Sequence, residues 1–216
     1  RLETLGLTDR TRVIYTSDHG EHLGARGIYG KLSLYDESAG VPMIAAGPDV
    51  PHGHACHTPT SLIDLYPSII ESVGARSYDD DAGLPGRSLW AIANNADAQR
   101  TVLSEYHAVA SKHGSYMLRD ERFKYNHYVG APPQLFDMRS DPQELRDLAG
   151  DPAHAEQLKA CEQRLRQILD PDEVDAMARA DQAARVEALG GEAAIRQRGA
   201  FDNSPAPGEA PAFRLH

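Results

Sequence analysis

Apolar residues along this chain follow two different rhythms, and the change from one to the other divides it. From Arg12 to Ser17 the run Val13, Ile14 and Tyr15 favours a pleated strand, and Val41 to Gly47 reads as a second. Leu62, Ile63, Leu65, Ile69 and Ile70 then recur at helical spacing and predict a helix over Ser61–Gly74. Thr58 or Thr60 is its expected cap, Pro67 a kink and Gly74 its stop. Alternating strand and helix signals of this kind assign residues 1–98 to an α/β domain. After Thr101 the runs shorten: Val102–Tyr106, Ser115–Arg119 and Arg122–Tyr128 predict antiparallel strands, with Asp120-Glu121 as a tight connection. Residues 99–150 are therefore read as a small antiparallel β subdomain. From Asp151 the helical period returns, with Leu158, Cys161, Leu165, Ile168 and Leu169 on one face, followed by an Ala-, Glu- and Arg-rich stretch over Asp172–Leu189. Residues 151–216 are expected to form a helical arm for packing or self-association, ending in a Pro-rich extended tail over 201–216.

Composition narrows the function classes. With 216 residues, 41% of them hydrophobic, the chain can bury a sizeable core. A net charge of −10 argues against nucleic acid or an anionic membrane surface as partner, and leaves room for a cationic substrate part. No apolar run approaches the roughly 18 residues of a membrane span, and two widely spaced cysteines build no disulfide framework.

Chemistry concentrates where the first strand ends. Asp18, His19 and Gly20 stand at the position where an open α/β sheet exposes its carboxyl edge and gathers ligands. A carboxylate beside a neutral imidazole suits Ca²⁺, Mg²⁺, Mn²⁺ or Zn²⁺, but two ligands do not complete a shell, so other chain segments are expected to supply the rest. Lys31 follows Gly27 and Gly30, which permit turns that return its ammonium over the metal, with space for an anionic substrate between them. His22 is the second histidine of the stretch. Tyr106, His107 and His113 form a further polar group in the antiparallel region.

Several landmarks in order resemble the sulfatases of the alkaline phosphatase superfamily and their relatives, the phosphonate monoester hydrolases. They are Asp18-His19-Gly20-Glu21, Gly30-Lys31, Tyr35-Asp36-Glu37-Ser38, Val41-Pro42-Met43-Ile44 and the stretch His57 to Ser68 with its Thr58-Pro59 and Asp64-Leu65-Tyr66-Pro67. Gly86-Arg87-Ser88-Leu89, Gln134-Leu135-Phe136-Asp137-Met138 and Asp141-Pro142-Gln143-Glu144 continue the match, which spans roughly residues 1 to 150. The resemblance implies the C-terminal part of an alkaline-phosphatase-like sandwich, a mostly parallel sheet with helices, carrying a small antiparallel subdomain that closes over it.

The same resemblance implies a site. Asp18 and His19 would complete the shell of one divalent metal, Ca²⁺ or Mn²⁺ ahead of Mg²⁺ or Zn²⁺, and Lys31 would be the catalytic cation on a non-bridging oxygen or the departing alcohol. His22, Arg26 and His107 are candidates for supporting or substrate contacts; Ala25 and Arg26 stand where relatives often have Asp-His. The nucleophile of such enzymes is a formylglycine made within Cys/Ser-x-Pro/Ala-x-Arg, and neither Cys56 nor Cys161 sits in that motif. The chain also lacks the paired aspartates of the family's N-terminal metal site, and Arg1–Leu7 reads like the end of a helix. It is therefore expected to be part of a longer enzyme, inactive alone, with one sheet edge exposed where the rest would pack. The implied activity is metal-dependent hydrolysis of a small anionic sulfate ester. The Asp-His form of the pair leans toward choline sulfatases and phosphonate monoester hydrolases, and a homo-oligomer through the C-terminal arm is the expected assembly. Two alternatives remain: a two-metal phosphodiesterase with a Ser or Thr nucleophile and a further ligand among His54, His57 and His107, and a non-catalytic interaction protein built on a degenerate sulfatase half. Compartment, cytoplasmic or periplasmic, stays open, since any leader would lie outside these residues.

Overall fold

The computed structural model describes residues 1–94, 99–109, 111–201 and 213–214. It divides into two compact units, Arg1–Leu169 and Asp170–His216.

In the first unit, β1 (Val13–Thr16) and β2 (Met43–Ala46) lie where the two apolar runs place them. They pair with Tyr15 opposite Ile44 and run antiparallel, as does every strand pair among the described residues, so the parallel pairing expected for the main sheet is not found in this stretch. The period-2 alternation sends Ile14, Met43 and Ala45 inward, where they pack on Leu89, Trp90 and Ile92 of α3 (Leu89–Asn94). The opposite face stays open: Val13, Tyr15 and Ile44 are 46%, 64% and 61% exposed.

The run Ser61–Gly74 folds as a 3-10 turn, Leu62–Asp64, leading into α2 (Leu65–Ser72). Pro67 has no N–H to give the carbonyl of Ile63, which accounts for the break between the two helical types. The cap is Ser61, not Thr58 or Thr60: Ser61 and Asp64 form a reciprocal capping box, with the Ser61 N–H donating to Asp64 Oδ2 at 2.8 Å. Gly74, at φ +61°, ends the helix as expected. The inward face is polar. Asp64 and Ser68 are fully buried while Ile63 and Ile69 are about half exposed. Partners brought from elsewhere make this tolerable: Arg100 grips both Asp64 oxygens at 2.7 and 2.6 Å, and Ser68 Oγ accepts the Leu89 N–H at 2.7 Å.

The antiparallel sheet has strand order β3 (Val102–Tyr106), β4 (Ser115–Arg119), β5 (Phe123–Tyr128), β6 (Ala131–Asp137). The first three match the expected runs. β6 is an addition, and its Pro132-Pro133 fits an edge strand, where no ladder donor is needed. The β4–β5 connection works without glycine, because Asp120 Oδ1 accepts the Arg122 and Phe123 N–H groups at 2.8 and 2.6 Å and Glu121 keeps a negative φ. Helix α4 (Ala155–Ile168) packs on β5 through its predicted face, burying Cys161 and Leu165 beside a core that includes Tyr116, Tyr125, Leu135 and Phe136. Between β2 and α2 the only regular element is the 3-10 turn Leu62–Asp64, and between Thr16 and Met43 there are a 3-10 turn, Ala25–Gly27, and one short helix, α1 (Asp36–Ala39).

The second unit holds α5 (Pro171–Ala188) and α6 (Gly191–Arg198), then β7 (Ala200–Phe201) paired with β8 (Phe213–Arg214). The expected extended tail falls mainly outside the described residues. No helix among the described residues is long and apolar enough to cross a membrane.

Candidate active site

The site is built where β1 gives out. After Thr16 the chain turns through Ser17, whose hydroxyl is 3.3 Å from Asp18 Oδ1 and 2.9 Å from the His19 carbonyl. The His19 N–H donates to Asp18 Oδ1 at 3.0 Å, so the carboxylate is turned back over the histidine. Gly20 then passes so close to α1 that a Cβ there would sit 2.2 Å from the Glu37 carbonyl oxygen, and its N–H donates to the Ser38 carbonyl at 2.7 Å. Beyond it the backbone coils tightly. Leu23 and Arg26 adopt φ +49° and +55°, and Gly30 at +93° delivers the chain back to Lys31.

Three predicted groups converge. His19 Nδ1 lies 2.8 Å from the Gly20 carbonyl, an acceptor only, so the proton sits on Nδ1 and Nε2 presents its lone pair. Nε2 is 3.3 Å from Asp18 Oδ2 and 2.5 Å from Lys31 Nζ, which donates to it. Partial desolvation works to raise the Asp18 carboxyl, but the His19 ring, the His19 N–H and the Ser17 hydroxyl outweigh it and hold its pKa below the usual value. Asp18 is largely open to solvent and His19 partly so. An imidazole nitrogen with a fixed tautomer and a depressed carboxylate side by side form a donor set that fits a divalent cation. Among the described residues no third His, Cys, Asp or Glu joins them at metal-binding range.

The other candidates serve different places. His22 is buried, with Nε2 2.7 Å from Ser33 Oγ and its ring edge-on to Tyr35, which makes it a brace inside the loop. Arg26 spends its guanidinium inside the protein, on Glu37 at 3.2 Å and on the Gln143 and Glu144 carbonyls at 2.5 and 3.0 Å, with Tyr35 stacked 4.0 Å beneath. Glu37 is disfavoured by partial burial, yet its own backbone N–H, Arg26 and His22 keep its carboxyl below the ordinary range. His107 follows the end of β3, its ring edge-on to Tyr116 at 5.3 Å and 3.5 Å from Glu105. Sequence reasoning assigned no role to Asp36, Glu37, Lys124 and Glu144 around the loop; Asp36 and Glu37 lie in the Tyr35–Ser38 landmark and Glu144 in the Asp141–Glu144 landmark, and Lys124 had no local signal. A separate cleft of about 580 Å³ lies among His57, Arg100, Asp120, Arg122 and Arg164. Its arginines are neutralised by Asp64, Asp137 and Asp120, so it does not compete with the Asp18 site as an anion centre.

Comparison with known proteins bears on the family and the fold. Residues 20–171 match the family described as N-sulphoglucosamine sulphohydrolase, C-terminal. The chain is 33% identical to arylsulfatase K of Xenopus laevis over 185 residues, covering 81% of this chain and 34% of that protein. It is 36% identical to choline-sulfatase of Rhizobium meliloti (strain 1021) over 146 residues, 68% of this chain and 28% of that protein. The solved phosphonate monoester hydrolase from Silicibacter pomeroyi superposes with a TM-score of 0.65 at 31% identity, covering 77% of this chain and 36% of that one. The chain thus spans about a third of the length of the relatives it matches. Family match and fold together place these residues with the C-terminal region of the sulfatases, in the alkaline-phosphatase-like architecture. The chain belongs to the N-sulphoglucosamine sulphohydrolase C-terminal family.

Proposed function

We propose that this chain contributes the metal-binding Asp18 and His19 and the substrate-facing Lys31 to a sulfuric ester hydrolase, whose formylglycine nucleophile lies on a segment outside these 216 residues. The observation that carries the reading is the convergence of His19 Nε2 on Asp18 Oδ2 at 3.3 Å and on Lys31 Nζ at 2.5 Å in a solvent-open corner. When present, the metal supplies charge neutralisation at the ester oxygens and the formylglycine an oxygen nucleophile. Ca²⁺ or Mn²⁺ is favoured over Mg²⁺ or Zn²⁺ for that site. Gly20 fixes the His19 tautomer, so Nε2 is always ready as a ligand. Lys31 is a mobile point charge that leaves Nε2 for a non-bridging oxygen of the bound ester, or steadies the departing alkoxide. The likeness to a phosphonate monoester hydrolase at 31% identity supports a second reading in which the same groups act on phosphorus.

The test is hydrolysis of an aryl sulfate, a phosphonate monoester and a phosphate diester by the full-length protein, produced with a formylglycine-generating enzyme. Asp18→Ala is expected to abolish turnover, and Lys31→Ala to lower kcat by about 10²–10³-fold, the cost of losing one charge-stabilising donor. Turnover indifferent to both substitutions would remove the site assignment, and a preference for the phosphonate would select the second reading.

A further inference from the structure

Both ends of the loop that presents Lys31 hang on one residue of α1. Ser38 accepts the Gly20 N–H through its carbonyl at 2.7 Å, and its hydroxyl donates to the Lys31 carbonyl at 2.5 Å. The placing of His19 and Lys31 therefore depends on where α1 is held. Its first residue, Asp36, is gripped twice: its N–H donates to Glu144 Oε2 at 2.7 Å, and its carboxylate takes Lys124 Nζ at 2.6 Å. Lys124 also lies 2.8 Å from Glu144 Oε1, and the Lys124 and Glu144 side chains are 0% and 1% exposed. The middle of the loop is tied to the same spot, because Arg26 donates to the Gln143 and Glu144 carbonyls and to Glu37.

Buried charges are expensive, and a hydrophobic contact of similar size would usually stabilise the fold as well or better. Arg26 and Glu144 moreover sit at φ +55° and +52°, a region that side chains other than glycine seldom enter. Strain and buried charge coincide where the β1–α1 loop meets the antiparallel sheet and the turn that follows it, beside the Tyr35 contacts with Gln134 and Phe136 of β6. The cost is understandable if the contact specifies a geometry.

We propose that Arg26, Lys124 and Glu144 are positioning residues that clamp α1 and the 20–35 loop onto β5, and so set the backbone of Lys31 beside His19. The role assigned to Lys31 rests on the sulfatase reading above; the clamp itself does not. In the full-length protein, Glu144→Gln removes the charge and keeps the shape, and Arg26→Lys keeps the charge and loses the fork. Arg100→Lys serves as the comparison, since it disturbs another buried ion pair, with Asp64, away from this loop.

Two readouts are followed below all melting midpoints. Glu144→Gln and Arg26→Lys should each lower kcat for the ester roughly 10- to 100-fold with KM changed by less than about threefold, because a displaced charge is felt most in the transition state. Amide exchange at Gly20, His22 and Gly30 should rise about tenfold or more while the β4–β5 ladder is unmoved, since local opening is freed without global unfolding. Arg100→Lys should leave both readouts within about twofold. If all three variants change kcat and exchange in proportion to their loss of melting temperature, the residues merely stabilise and the proposal is overturned. If the wild type turns over no ester but the loop amides still respond to Glu144→Gln and Arg26→Lys alone, the clamp stands and the sulfatase reading falls.

Discussion

Tyr128 carries a phenol that burial, reinforced by Tyr35, pushes up to about 12. Its hydroxyl donates to Gln134 Oε1 at 2.9 Å, and burial raises Tyr125 in the same sheet as well. A phenol whose pKa is raised by folding contributes stability that is fully present below the ordinary value near 10 and disappears as the pH climbs through the folded value. Alkaline unfolding should therefore steepen between pH 10 and about 12. Tyr128→Phe should flatten that limb in pH-dependent denaturant melts, while costing about 0.5–1.5 kcal/mol at neutral pH for the lost hydrogen bond. At this scale the sequence gives up its local chemistry readily. Asp18, His19 and Lys31 lie within one short stretch, and the turn residues between them announce the geometry. The roles of Glu144 and Lys124 were invisible because their shared partner, Asp36, stands over a hundred and 88 positions away. Arg26 looked like a substrate contact for the same reason: the carbonyls that absorb its donors are 117 and 118 residues distant.

Helices and strands were legible wherever their apolar rhythm met a matching partner. Strands β3 to β5 follow their sequence patterns closely, and helix α4 does so through Cys161 and Leu165, while Ile168 of the same expected face is half exposed. Helix α2 departs from its pattern, because Arg100, Trp90 and the Leu89 backbone supply partners that let Asp64 and Ser68 turn inward. A hydrophobic-face argument has no access to such distant donors, and it also passed over Ser61 in favour of the nearby threonines. β6 escaped because two prolines suppress the usual strand signal, although an edge position excuses them. Helix α5 offers the cleanest test of an element's own wiring. Asp170 caps it by accepting the Asp172 and Glu173 N–H groups at 3.0 and 3.2 Å, with Pro171 at the first helical position. Asp170→Ala should cost about 0.5–2 kcal/mol, seen as faster amide exchange in the first turn of α5 with the β3–β6 sheet unaffected.

The whole molecule presents an unusual surface. Val13, Tyr15 and Ile44 stand side by side on the outer face of β1–β2, and Ile69 on α2 and Val73 just after it are likewise exposed. Contiguous apolar faces of this kind mark places where more protein packs. The relatives are about three times as long as the stretch they share with this chain. Produced as these 216 residues alone, the chain should bind a hydrophobic dye and elute ahead of a 23.6 kDa monomer in size-exclusion chromatography. Ile44→Lys together with Tyr15→Lys should reduce both signals; a monomer that binds no dye before substitution would mean the face is tolerated by water.

The clamp on the Lys31 loop also has a timetable. Its halves are made far apart in time on the ribosome: about 118 residues separate Arg26 from the carbonyl it binds. At about 5–20 residues per second, the loop waits roughly 6 to 24 seconds after it is synthesised before its anchor exists. During that interval β1 can pair with β2 and α1 can keep its local bonds to Gly20, Arg26 and Lys31, but the Lys124 and Glu144 grips on Asp36 are not yet complete. The corner holding His19 and Lys31 is thus among the last parts of the first unit to set, so a translational pause between residues 40 and 140 would prolong the period in which it stands open to chaperones and proteases.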